Sequence, residues 1–280
     1  MRKIITCIAI VITIISCSPK LGSAIVYKQP ALAPTDIIVV LQQEDNFPNT
    51  GIKVGTLSSS DNGISTHCTY KDVIGKLMEM ARQNGANILK ITEHKAPDMW
   101  STCDRIIATI YRVENPRQFE KAIKWSRDRK LSWEDFKGKP KTISNTNVAA
   151  QTSCNIGFQA NAITIFNKPK IFTTNTFDCD LSWVKPDQMN RPDLLEHEQG
   201  HFDLCEVYVR QLRKQLLAAN LKAFNLIKDG NAIYKQVYAA YLDRQELYER
   251  ETNHGLDRAG QVKWNKSISD ELSTLEAYSE

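Results

Sequence analysis

The chain has 280 residues, 42% of them hydrophobic and 24% charged, an ordinary globular composition that sets a prior of one or two domains. Long disorder, collagen-like repetition and a polytopic membrane protein are excluded on that basis. Its 36 basic and 32 acidic residues give a formal charge of +4 without any long basic block, so nucleic acid is not expected as a partner.

In chain order, Arg2 and Lys3 precede an apolar run from Ile4 to Ile15 that is too short to span a bilayer as a resident helix. Residues 1–16 therefore read as a signal peptide. The tetrapeptide Ile14-Ile15-Ser16-Cys17 at its end resembles the lipobox at which bacterial lipoproteins are cleaved and acylated. That resemblance implies Cys17 as a lipidated mature N-terminus, attachment to a membrane through the lipid, and a place in the bacterial cell envelope, periplasmic or surface-exposed. Without residues 1–16 the balance is 34 basic to 32 acidic, a formal +2.

Export makes disulfides meaningful, because they persist in oxidising compartments. With Cys7 lost in the signal and Cys17 lipidated, five cysteines remain: Cys68, Cys103, Cys154, Cys179 and Cys205. Pairing within domains predicts Cys68 with Cys103 and Cys154 with Cys179, leaving Cys205 as a thiol, although spacing alone does not establish connectivity.

Residues 17–34, polar and proline-containing, read as a tether. Between 35 and 114, β-branched or apolar runs at Asp36–Leu41, Ile52–Leu57, Asn87–Thr92 and Arg105–Tyr111 predict strands. Val73, Ile74, Leu77, Met78 and Ala81 recur at helical spacing within Tyr70–Asn84, and Gly85 supplies a stop. The order β-β-α-β-β predicts a small α+β domain with the helix laid on the sheet, a pattern that resembles small envelope domains of other bacterial lipoproteins. Residues 115–130, rich in Arg and Lys, read as a charged linker and domain boundary.

The second domain, 131–280, shows short extended runs around Val148–Phe158, Ala162–Phe166 and Phe177–Val184. Helical patterning follows, starting at Pro192 with Asp193 in the first turn. Further helices are predicted over Asn231–Arg250 and Gln261–Tyr278. The whole is thus expected to be α+β, in two domains.

The chemistry is concentrated in Leu195-Glu196-His197-Glu198-Gln199-Gly200-His201-Phe202-Asp203. Residues four apart on a helix share a face, so His197 and His201 can both offer imidazole nitrogen to one metal ion. Zinc in a catalytic site takes three protein ligands and leaves a position for water. Glu198, beside the first ligand, would be the general base toward that water in metal-assisted amide hydrolysis. Gly200 in mid-helix, costly against alanine, suggests that something approaches the backbone there. A third ligand must come from elsewhere, and Glu246, Glu249, Glu251 and His254 are downstream candidates. His254, followed by glycine, is favoured as the commonest ligand type, with Glu251 as the alternative. Asp203 could back His201 from outside, Glu196 reads as a surface carboxylate, and Cys205 is assigned to the core. His67 and His94 have no ligand-spaced partner.

Ser182-Trp183-Val184-Lys185, the helix motif, Tyr248 through Gly255, Gln261 and Trp264 together resemble a family of bacterial proteins of unknown function predicted to be zinc-dependent peptidases. The resemblance covers roughly residues 130–280. It implies a zincin-like domain of a small sheet plus helices, Zn2+ as cofactor, His254 as third ligand, and a peptide or protein substrate of no known identity. The alternative function is a non-catalytic envelope binding module whose zinc is structural or vestigial.

Overall fold

Alternating apolar positions build the strands of the first unit, and the computed structural model shows how they pair; it describes residues 19–61, 65, 68–140, 148–161 and 170–279. The signal segment, Cys17, His67 and the expected strand Ala162–Phe166 lie outside the described residues. The chain divides into two units, 1–119 and 120–280, and its mixed α+β class is as expected. No helix among the described residues is long and apolar enough to cross a membrane.

The first unit holds β1 (Lys20–Ile25), β2 (Val39–Leu41), β3 (Ile52–Ser60), helix α1 (Tyr70–Gln83), β4 (Ile88–Lys95) and β5 (Arg105–Arg112). They form one sheet in the order β1-β3-β5-β4-β2, in which only β2 and β4 run parallel. Val73, Leu77 and Ala81 of α1 are wholly buried in one cluster with Val54, Leu57, Ile106 and Ala108 of the sheet. The helix starts cleanly because Thr69 and Asp72 exchange the two bonds of a capping box, and it stops at Gly85, whose φ of +73° suits glycine. A disulfide joins Cys68, just before α1, to Cys103, just before β5.

The stretch read as a tether is corrected in part, since residues 20–25 are the edge strand β1. Their burial does not alternate, and β1 is held by backbone pairing to β3, from Lys20 opposite Ser60 to Ile25 opposite Gly55. Side-chain periodicity could not reveal such a strand.

The second unit contains β6 (Ala122–Lys124), β7 (Ala150–Gln151), β8 (Cys154–Asn161), β9 (Lys170–Asp178), β10 (Trp183–Val184) and helices α2 (Pro192–Ala218), α3 (Leu226–Thr252) and α4 (Arg258–Thr274). One antiparallel sheet has the order β6-β9-β8, and β7 pairs with β10. The charged stretch 115–130 is therefore not all linker: β6 lies within it, burying Ile123 between exposed Ala122 and Lys124. Arg129 is likewise drawn in by Glu120 at 2.6 Å and Asp135 at 2.8 Å.

Helix α2 is buried on nearly every side, the mark of a central helix. Leu194 and Phe202 pack with Phe177 and Val184. Cys205, Val209, Leu212 and Leu216 pack with Ile156 and with Leu226, Val237 and Tyr241 of α3. Leu204 and Val207 meet Tyr248 of α3 and Trp264 and Ile268 of α4.

The predicted Cys154–Cys179 pairing is corrected too. In the register of β8 with β9, Cys154 stands opposite Phe177, while Cys179 lies past the end of β9. No disulfide joins Cys154, Cys179 or Cys205 in this structure. Burial pushes the Cys179 thiol up to about 12 despite nearby Lys137.

Candidate metal centre

Helical spacing puts His197 and His201 on one face of α2, and the structure turns that face toward the last turns of α3. The two Nε2 atoms stand 3.1 Å apart. Glu249 closes the group, with Oε1 at 3.1 Å from His201 Nε2 and Oε2 at 3.5 Å from His197 Nε2. His197, His201 and Glu249 each offer an atom that could hold a metal ion, all within 4.8 Å of one another. His197 is 2% exposed, whereas a third of the Glu249 side chain reaches solvent, so the group opens on that side.

Both rings are held from behind by amides. Gln261 Oε1 lies 3.1 Å from His197 Nδ1, and Gln245 Oε1 lies 2.5 Å from His201 Nδ1. The amide nitrogens are already committed: Gln261 Nε2 donates to Tyr248 Oη at 2.7 Å, and Gln245 Nε2 donates to the His201 carbonyl at 3.2 Å. The oxygens must therefore face the imidazoles, which places the proton on Nδ1 and frees each Nε2 lone pair for a metal. Neither glutamine was singled out for this role by the sequence, although Gln245 and Glu249 stand four apart on one face of α3.

Charge in the cluster follows the geometry. Against the effect of burial, the imidazoles of His197 and His201, when they carry a proton on Nε2 as well, hold the Glu249 carboxyl well below the usual range. His201 is raised although burial opposes it, because Glu249 and Glu198 favour its charged form. Glu198 itself is 3% exposed, and its Oε2 has no hydrogen-bond partner among the described residues. A buried carboxylate oxygen without a partner is costly, and such atoms are concentrated where a ligand, ion or water completes the set.

Tyr248 explains the mid-helix glycine. Its hydroxyl donates to the His197 carbonyl at 2.9 Å, its ring stacks on His197 at 4.8 Å between centroids, and a β-carbon at Gly200 would collide with Oη. Gly200→Ala is thus expected to destabilise by about 1–3 kcal/mol, although alanine normally gains about 1 kcal/mol over glycine inside a helix. Chemical denaturation checks this; a variant as stable as wild type would show that Tyr248 can withdraw without loss.

His254 and Glu251 do not join the group. Helix α3 ends in three left-handed residues, Asn253, His254 and Gly255, with φ of 47°, 55° and 78°. The His254 side chain is consequently 75% exposed and meets Glu249 Oε2 through Nδ1 at 2.7 Å. Gly255 is required there, since a β-carbon would come within 2.9 Å of the His197 ring. Glu251 accepts instead from Trp264 Nε1 at 3.0 Å. Asp203 does not back His201 but accepts from Trp125 Nε1 and Gln199 Nε2 at 2.7 and 2.8 Å. Glu196 engages Arg258 and Asn265 at the surface. His94 is bonded to Asp104 at 2.7 Å and has no part in the centre.

No curated protein and no solved structure matches the chain. Residues 135–255, which span β7 through the end of α3 and contain His197, Glu198, His201, Glu249 and His254, match the model of a family described as bacterial protein of unknown function, DUF922.

Proposed function

We propose that this chain is an exported, lipid-anchored, zinc-dependent metallopeptidase, with His197, His201 and Glu249 as zinc ligands and Glu198 as general base. The observation that carries the proposal is the buried histidine pair closed by Glu249, with the unpartnered Oε2 of Glu198 beside it on α2. Two imidazole nitrogens and one carboxylate suit zinc, and they leave a coordination position open for chemistry. When bound, zinc would supply Lewis acidity toward water and toward a substrate carbonyl.

The other steps belong to the chain. Gln245 and Gln261 orient the imidazoles, and Tyr248 holds the turn of α2 that carries His197. Glu198 would take a proton from the attacking water and return it to the leaving amine. His254 and Glu249 form the solvent-side edge at which a peptide would enter. Export and anchoring rest on the lipobox-like sequence ending at Cys17, and the Cys68–Cys103 bond supports an oxidising compartment.

The test is zinc content by elemental analysis of the full chain, together with cleavage of unstructured peptides before and after chelation. About one zinc per chain, with cleavage lost on chelation and restored by zinc, is the expected result. Folded protein that takes up no added zinc would end the proposal, and zinc without cleavage of any peptide would favour a binding module.

A further inference from the structure

The second unit carries three cysteines outside any disulfide, and two of them lie together. Cys154 opens β8, and Cys205 lies on α2 one helical turn beyond His201. Strand β8 packs on α2, and Cys154 rests against the core cluster containing Cys205, Val209 and Tyr241. Cys154 lies on the same face of β8 as Ile156, two residues on, and Ile156 packs in that cluster with Cys205. Cys154 also borders the cluster that contains Cys179, but Cys179 lies past the end of β9, near Lys137 and Asp135, and Cys154 stands opposite Phe177 in the sheet.

We propose that Cys154 and Cys205 form a second disulfide, a covalent tie between β8 and the helix that presents the histidine pair, leaving Cys179 as a free buried thiol. The first unit already carries the Cys68–Cys103 bond, and a compartment that forms one such bond oxidises an adjacent pair as well. Burial pushes the Cys154 thiol well up, which makes it a poor nucleophile once enclosed. The bond therefore closes during folding. A thiolate of the pair attacks a disulfide oxidant, such as glutathione disulfide or an oxidised dithiol protein, and releases one thiol. The second cysteine then attacks the mixed disulfide and releases the other, so two cysteine thiols become one S–S bond while the oxidant gains two electrons and two protons. The tie also steadies the histidine pair: Cys205 packs in one cluster with Tyr241, Gln245 stands one helical turn beyond Tyr241 on α3, and Gln245 holds His201.

The full chain, expressed into an oxidising compartment, is denatured in excess alkylating reagent without reductant. It is then cut with trypsin and a glutamate-specific protease, since Lys185 and Arg191 precede prolines and resist trypsin. Cys179 is expected alkylated, and Cys154 and Cys205 recovered as one linked species that reductant separates. Cys205→Ser should leave Cys154 alkylated and lower the melting temperature by roughly 5–15 °C, whereas Cys179→Ser should leave the link intact. The proposal is overturned if Cys154 and Cys205 are both alkylated in wild type and remain so after refolding in a glutathione redox buffer, or if either is found linked to Cys179.

Discussion

Replacing Glu198 with glutamine is expected to leave zinc in place and to lower peptide hydrolysis by about 10²–10⁴-fold, the range for a removed general acid–base group. The side chain keeps its size, and Glu198 is outside the group whose atoms approach one another closely enough to share an ion. Among the described residues, its Oε2 makes no hydrogen bond that the substitution would break. What is lost is a basic oxygen beside the histidines and a negative charge that favours protonated His201. Zinc content and cleavage rate on the same preparation decide the matter. If zinc disappears together with activity, Glu198 holds the site rather than acting in it.

The second result concerns the ligand set. Glu249→Ala should weaken zinc by at least about 100-fold, more than the loss of an outer partner usually costs, whereas His254→Ala should cost about 10-fold or less. The difference follows from position: Glu249 meets both Nε2 atoms, while the exposed His254 meets Glu249 Oε2 and is not among the residues whose ligand atoms gather closely enough to share an ion. Glu251→Ala should keep zinc and lose only the bond to Trp264. Competition with a chromophoric chelator measures all three. Zinc retained by Glu249→Ala and lost by His254→Ala would reverse the assignment.

The contrast between these two residues shows how far the sequence reaches. His197, Glu198 and His201 were readable because helix geometry alone aligns residues four apart. The third ligand required the register of α3 against α2, and a histidine before glycine drew attention away from it. Yet Tyr241, Tyr248 and Thr252 are all buried along α3, and Gln245 and Glu249 fall on the same stripe at spacings of three and four. A carboxylate inside a buried stripe was the available signal. In the same way α1 was marked by its apolar spacing and by Gly85, whereas β9 was missed before Phe177. Its inward side chains there include Thr173 and Asn175, both buried, and Asn175 serves the Phe202 carbonyl at 3.0 Å. Polar residues facing inward erase the alternation on which strand reading depends. The packing of Cys154 was hidden for a different reason, because nothing local specifies which strand lies beneath which turn of α2.

Gln245 and Gln261 bear on the electrical balance of the interior. Carboxylates commonly stand behind ligating histidines, but here amides do so. With both imidazoles neutral, the fixed charge beside them comes from two carboxylates, Glu198 and Glu249, which is the amount that one divalent cation cancels. Two more carboxylates in place of the glutamines would leave a surplus of like charge in a space poor in water, at a cost of several kcal/mol per uncompensated ion. The amides orient the rings without that surplus, so a centre holding one divalent cation would be neutral as a whole, and the metal-free chain would have less repulsion to withstand while it folds.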